Sequence, residues 1–211
     1  DMRLWRTLAD YVERARAPED FSAARAIGLD ETAARRGHNY ISLFHDLEQA
    51  RLLYACEGRK AEVLGHFADD LEAHGACAEN VREICIDMSA SYQAGVGEHL
   101  PWAQVTFDEF HVIQLLNKAV DEVRRQEVKG APQLRRTRYL WLKDKHAWSR
   151  QQIVHFADIK ALNLKTQRAY RIKEALREIF RSANSPAQAE PPLQRWYSWA
   201  RRCRLAPIKK V

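Results

Sequence analysis

Three short apolar runs in the first half of the chain each end in an aspartate, and this feature most constrains the fold. The runs end at Asp30, Asp87 and Asp108. A buried strand reads as a short apolar run bounded by polar residues, and a carboxylate directly after it is held by rigid backbone. The pattern therefore predicts a sheet with acidic side chains at its margin.

The segments around these runs predict the order of the elements. A helix is expected over 2–16, strands over 24–30, 40–44 and 51–56, a helix over 60–74, a strand over 81–86, a helix over 89–100 and a strand over 103–107. Three strands in succession form an antiparallel meander. The order β-β-β-α-β-α-β predicts an α/β fold with a mixed five-stranded sheet, covered on both faces.

The second half of the chain differs in structure and in charge. No strand is expected from Glu109 onward, and later helices are predicted over 149–160, 165–182 and 189–204. Residues 118–211 hold 23 Lys and Arg against 8 Asp and Glu, whereas residues 1–117 hold 11 against 20. This asymmetry favours a polyanion as partner, although a solvated helical surface is the alternative. We divide the chain into an N-terminal helix (1–18), a core (19–117) and a basic all-helical insertion domain (118–211).

Several classes of protein are disfavoured by the sequence. No apolar run approaches the roughly 18 residues of a membrane span, so no membrane partner is expected. The four cysteines, Cys56, Cys77, Cys85 and Cys203, form no C-x-x-C pair and have no histidine at zinc-ligand spacing. A structural zinc site is therefore not expected, and we predict a reducing, cytoplasmic location.

Asp30 and Asp87 are the candidate metal ligands. Carboxylates on neighbouring strands can share hard cations such as Mg²⁺. Two such ions can activate a water or a 3′-hydroxyl and stabilise the leaving oxygen of a phosphodiester. The alternative for any single Asp is a helix cap, as Asp87 before Met88 would be. Glu31 is set aside, because neighbouring residues of a strand point to opposite faces.

Six stretches carry a family resemblance. They are GLDETA (28–33), RRGHNY (35–40), IDMSASY (86–92), FDEFHVIQLLN (107–117), RYLWLK (138–143) and NLKTQRAY (163–170). They resemble the DDE transposases of bacterial insertion sequences, in the ISL-three family, from about Leu4 to Val211. The resemblance implies an RNase H-like catalytic core and an enzyme that cuts DNA at insertion-sequence ends and joins the freed 3′-hydroxyl to target DNA.

The same resemblance implies roles for individual residues. Asp30 and Asp87 match the first two acids of the triad, which in the complete site hold two Mg²⁺ or Mn²⁺ ions. Asp108 and His111 match a D-x-x-H element, in which we expect Asp108 to support the metal carboxylates and His111 to position DNA; a core histidine is the alternative. The family's third acid, a Glu in an Asn-Gly-x-x-Glu-like context, has no match here. We expect a truncated chain that is inactive alone.

Basic side chains of the helical domain are the candidates for phosphate binding, because each one that faces DNA adds salt-dependent affinity. The candidates are Arg135, Arg136, Arg138, Lys143, Lys165, Arg168, Arg171 and Lys173. Trp141 and Trp148 are weaker candidates for stacking on an unpaired base, since Trp in a helical domain is more often in the core. The implied partners are DNA at transposon ends and target, and further copies of the chain in a homo-oligomer.

Two other functions remain open from the sequence. One is a different enzyme on the same fold, an RNase H-like nuclease or resolvase, which a long basic insertion after the fifth strand disfavours. The other is a catalytically dead remnant of a transposase that folds and binds DNA. A match to the third Glu in the parent reading frame would separate these alternatives.

Overall fold

A computed structural model of the protein describes residues 2–34, 39–160 and 162–211. It forms two compact units, Asp1–Asp108 and Glu109–Val211. The boundary expected after residue 117 falls inside the long helix that begins the second unit. Of the RRGHNY motif, residues 35–38 lie outside the described residues.

The first unit follows the predicted element order. Its elements are α1 (Met2–Arg16), β1 (Ala26–Ala33), β2 (Tyr40–Asp46), β3 (Arg51–Glu57), α2 (Glu62–Ala73), β4 (Glu83–Ile86), α3 (Ala90–His99) and β5 (Gln104–Phe107). The strands form one sheet in the order β3-β2-β1-β4-β5. The first three strands pair antiparallel, and β4 pairs parallel with both β1 and β5. The predicted mixed sheet is confirmed, and it is consistent with an RNase H-like fold.

The two kinds of pairing follow from the connections between the strands. Residues 47–50 form a turn between β2 and β3, and only residues 34–39 separate β1 from β2. Connections this short do not allow the crossover that parallel neighbours need, so these strands pair antiparallel. Helices α2 and α3 return the chain to the same end of the sheet, which parallel strands require. The two helices approach each other closely at Gly95, where an added Cβ would lie 2.7 Å from the carbonyl oxygen of Ala61.

The core of the first unit lies on one face of the sheet. Ile27 and Leu29 of β1 and Ile84 and Ile86 of β4 are buried there. They belong to one cluster with the apolar faces of α2 and α3, in which the rings of Phe44 and Phe67 stack at 4.1 Å. Because side chains alternate along a strand, Gly28 and Asp30 lie on the opposite face.

The second unit is helical throughout its described residues. Its helices are α4 (Glu109–Glu127), α5 (Arg138–Leu142), α6 (Arg150–Lys160), α7 (Lys165–Ser182), α8 (Pro186–Arg202) and α9 (Ala206–Lys209). The short helices α5 and α9 were not expected from the sequence. Glu127 of α4 caps α7, because its carboxylate accepts from the backbone N–H groups of Lys165 and Thr166, each at 2.7 Å. None of the helices described in either unit is long and apolar enough to cross a membrane.

Candidate functional site

Three aspartates lie in or directly after the three parallel strands. Asp87 and Asp108 follow the last residues of β4 and β5. The sequence predicted that Asp30 also ends its strand, but β1 continues three residues further, to Ala33. The β1–β4 pairing ends at Gly28 and Cys85. The same register, continued by two residues, would place Asp30 beside Asp87. The β4–β5 register pairs Ile86 with Phe107. Continuing it by one residue sets Asp87 beside Asp108. Neighbouring strands are about 4.8 Å apart, so level side chains on one face can share a cation.

Backbone hydrogen bonds hold the two central carboxylates. Asp30 Oδ1 accepts from the N–H of Glu31 at 2.8 Å, and Asp87 Oδ1 accepts from the N–H of Ser89 at 2.8 Å. The second bond forms an Asx-turn that leads into α3, so the capping role considered for Asp87 is present. Each bond uses Oδ1, and among the described residues no hydrogen bond is made to either Oδ2. Capping and metal binding are therefore compatible in the same side chain.

Asp108 acts electrostatically on the face that Asp30 and Asp87 share. Its backbone N–H donates to the carbonyl of Ile86 at 3.0 Å, which extends the β4–β5 pairing by one residue. Burial raises the pKa of the Cys85 thiol, the Thr106 side chain counteracts this, and the negative charge of Asp108 raises it further. The Asp108 carboxylate is thus near Cys85, which precedes Asp87 by two residues on β4.

A polar contact on the opposite face ties α3 to the strand that carries Asp30. The hydroxyl of Tyr92 donates to Glu31 Oε2 at 3.3 Å and lies 3.0 Å from Ser42 Oγ. Burial raises the pKa of Tyr92 to about 12. Glu31 is therefore turned away from Asp30, as strand alternation predicts. Sequence analysis did not find this contact, because its three residues lie in three separate elements.

The donor atoms at this margin suit a hard cation. Carboxylate oxygens are the ligands that Mg²⁺ and Mn²⁺ prefer. Within the described residues, no group of three or more His, Cys, Asp and Glu side chains is arranged to hold a metal ion. The carboxylates at this margin are those of Asp30 and Asp87, with Asp108 directly after β5.

The second unit contains the remaining candidates. His111 lies in the first turn of α4, where its ring meets the ring of Phe110 edge to face at 5.7 Å. Trp141 is fully buried, and its indole N–H donates to Thr137 Oγ1 at 2.9 Å. The ring of Trp148 packs against Phe156 and Tyr170, at 4.6 Å and 5.9 Å between centroids. Neither indole is placed to stack on a base.

Seven of the eight proposed phosphate-binding side chains are exposed. They are Arg135, Arg136, Arg138, Lys143, Lys165, Arg168 and Arg171. Arg138 differs from the other six, because its Nε lies 3.7 Å from a carboxylate oxygen of Asp121. That carboxylate also pairs with Arg124 and Arg125. The charge of Arg138 is therefore partly neutralised within the unit.

Lys173 is a correction to the sequence prediction. Its side chain is fully buried, and Nζ donates to the carbonyl of Trp141 at 2.6 Å and pairs with Glu174 at 3.2 Å. Burial lowers the pKa of Lys173 to about 8. It faces the core and cannot contact DNA from this position. Lys173 lies four residues after the buried Ala169 and three before the buried Leu176 on α7. This helical spacing indicates that it shares their buried face.

Comparison with known proteins gives a consistent result. The chain matches the model of the ISL-three DDE transposases, described as a transposase, over residues 27–211. It is 28% identical over 234 residues to the transposase for insertion sequence element IS1557 of Mycobacterium tuberculosis, covering 95% of this chain and 52% of that protein. It is 25% identical over 197 residues to the transposase for insertion sequence element IS1001 of Bordetella parapertussis, covering 90% and 48%. The chain thus spans about half the length of the curated relatives it matches.

Proposed function

The chain belongs to the ISL-three family of DDE transposases, and on that premise we propose that it serves metal-dependent DNA cleavage and strand transfer at insertion-sequence ends. The observation that carries this proposal is the parallel pairing of β1 with β4, because its register, continued past Gly28 and Cys85, leads to Asp30 and Asp87. These two residues supply the first two acids of the catalytic site. Family membership favours this function over that of a nuclease or resolvase on the same fold.

In the proposed mechanism the protein's own residues bind and position. Asp30 and Asp87 would hold Mg²⁺ or Mn²⁺, and the backbone bonds to their Oδ1 atoms keep each carboxylate in place. Asp108 adds negative charge beside them, and His111 positions DNA. The bound ions supply activation of a water or 3′-hydroxyl and stabilisation of the leaving oxygen. No covalent bond between protein and DNA is formed.

The helical unit supplies DNA affinity in this proposal. Its exposed bases contact backbone phosphates at the transposon ends and in the target, and copies of the chain assemble on the paired ends. Arg135 and Arg136 are exposed, and among the described residues no ion pair engages either of them. Phosphate contacts release counterions, so this binding weakens as salt rises.

Metal binding by the 211-residue chain tests the proposal. Titration calorimetry with Mn²⁺ should show weak binding, and either Asp30→Asn or Asp87→Asn should abolish it, because a hard cation needs both charged oxygen donors. Asp69→Asn, which removes an exposed carboxylate on α2, is the matched control and should bind as the parent does. Retention of binding in both Asp30→Asn and Asp87→Asn would remove the basis of the metal site.

Strand transfer tests whether the acids within this chain are sufficient for catalysis. The chain matches two acids of the triad, so by itself it should join no pre-nicked transposon end to target DNA above background in Mn²⁺. A two-ion mechanism needs ligands for both ions. If the chain alone joined ends and Asp87→Asn removed that activity, a further acid within it would be the third ligand, and Asp108 would be the first to replace.

A further inference from the structure

The last part of the helical unit is rich in exposed positive charge. Residues 191–211 contain six Lys and Arg and no Asp or Glu. The six are Arg195, Arg201, Arg202, Arg204, Lys209 and Lys210, and all are exposed. Among the described residues none of the six has an ion-pair partner. We call these six side chains the α8–α9 basic surface.

Other bases of the unit are held by acids. The Asp121 carboxylate pairs with Arg124, Arg125 and Arg138. The acids Asp144, Glu174 and Glu178 pair with four further bases, Lys145, Lys173, Arg177 and Arg181. A phosphate that approached these bases would compete with an acid already in place. The α8–α9 basic surface imposes no such competition.

Two of the four arginines on this surface line one groove. Arg195 and Arg202 line it together with Ser198, Pro191 and Gln194, and its volume is about 470 Å³. The two arginines are two helical turns apart, which is about 10.5 Å along the axis. Seven residues are close to two full turns, so the two side chains leave the same face of α8 and can approach the same duplex.

The side chains of this surface are oriented by local contacts. Arg202 Nε donates to the carbonyl of Ser198 at 3.0 Å, which leaves its terminal nitrogens for a ligand. The Arg201 guanidinium lies 5.5 Å from the ring centre of Tyr197. Arg204 lines a second cavity, of about 240 Å³, together with Lys165. Glu127, the acid in that cavity, is already engaged by the first N–H groups of α7.

We propose that the α8–α9 basic surface binds the backbone phosphates of duplex DNA without reading its sequence, with Arg195 and Arg202 as its centre. This inference rests on the proposed function, because the bound DNA would be the substrate of transposition. Guanidinium groups bind phosphate oxygens through paired N–H donors, and a row of them along a helix matches the regular charge of a strand. The surface is separate from the phosphate-binding candidates 135–143 on and around α5.

The salt dependence of DNA binding by the whole 211-residue chain tests this surface. The variant Arg195→Gln/Arg202→Gln is compared with Lys145→Gln/Arg181→Gln, which removes the same charge from two exposed bases that are paired with Glu178 and Asp144. Affinity for a 20-base-pair duplex of arbitrary sequence is measured by fluorescence anisotropy between about 50 and 200 mM salt. Thermal unfolding of each variant checks that the fold is retained.

The expected result is a difference in slope between the two variants. Loss of two phosphate contacts should reduce the slope of log affinity against log salt by about 1.8 in Arg195→Gln/Arg202→Gln, with a smaller change in the control. Equal slopes in the two variants, or no duplex binding by the parent chain, would overturn the inference. Metal binding at Asp30 and Asp87 is measured without DNA, so the proposed function and this surface fail independently.

Discussion

The two units place charged side chains in opposite ways. In the first unit three aspartates lie in or directly after neighbouring parallel strands of one sheet. In the second unit the bases are distributed over several helices, and many are long, exposed side chains. A metal site needs each of its carboxylates at a fixed position. A basic surface that binds phosphates depends mainly on how many exposed bases it contains. Substitutions should therefore act sharply in the first unit and additively on the surface of the second.

Lys173 is the exception in the second unit, and the largest effect is expected there. Burial lowers its pKa from 10.5 to about 8, so the folded state favours the neutral amine. Between these two values the unfolded chain binds more protons than the folded one, and stability rises with pH. The resulting increase in the free energy of unfolding approaches about 3 kcal/mol near pH 10.5 and is absent below about pH 8.

Urea unfolding from pH 7.5 to 10.5 measures this dependence. In Lys173→Met, which keeps the length of the apolar stem, the contribution of this residue should vanish from the pH profile. Arg171→Met, an exposed neighbour on the same helix, serves as the control. A profile for Lys173→Met that matched the parent profile would show that Lys173 is charged in the folded state across this range.

Tyr92 is the corresponding buried polar group of the first unit, and a smaller effect is expected from Tyr92→Phe. The substitution leaves the Glu31 carboxylate and the Ser42 hydroxyl without the phenolic group in a largely buried site. It should lower the free energy of unfolding by about 2 kcal/mol. Tyr54→Phe removes a hydroxyl that makes no hydrogen bond to the described residues and should change little. Chemical denaturation measures the free energy of unfolding of both variants. An equal decrease in Tyr92→Phe and Tyr54→Phe would contradict a special role for the Tyr92 contact.

Asp87→Glu tests whether position, rather than charge, decides metal binding at the sheet margin. The charge is unchanged, but the extra methylene moves the carboxylate beyond the roughly 0.2 Å tolerance of a metal–ligand distance. Mn²⁺ affinity should fall about tenfold, equivalent to about 1.4 kcal/mol. Asp69→Glu is the control on α2. If Asp87→Glu bound Mn²⁺ as the parent does, the margin would be an acidic patch and not a site.

Single substitutions among the exposed bases just before and in α5 should have the smallest effects. Arg135→Gln or Arg136→Gln should weaken duplex DNA binding only a few-fold near physiological salt, and the triple variant Arg135→Ala/Arg136→Ala/Arg138→Ala should flatten the salt slope. Arg138 should contribute least of the three, because Asp121 already holds part of its charge. Anisotropy measurements across salt concentrations give these slopes. An unchanged slope in the triple variant would assign these residues to the solvated surface.

Much of the fold was predictable because its signals are local. Apolar runs such as Ile84–Ile86, and the polar residues that end them, depend on neighbours within a few positions. The predicted strands and long helices agree with the observed bounds to within a few residues. The short helices α5 and α9 were missed, since four or five residues carry too little periodicity to indicate a helix. The burial of Lys173 was not predicted, because a lysine is expected to be exposed even where its position in the helix lies on the buried face.

The sequence by itself determined the order of strands and helices, the end of each apolar run at an aspartate, and the separation of acidic and basic halves. Only the tertiary structure decided that β1 lies between β2 and β4, which makes the strand that contains Asp30 a neighbour of the strand that precedes Asp87. It also decided which bases are neutralised, as Arg138 is by Asp121, and which are left exposed, as Arg195 and Arg202 are. Pairing between distant segments depends on how whole elements pack, and no local pattern of residues specifies that.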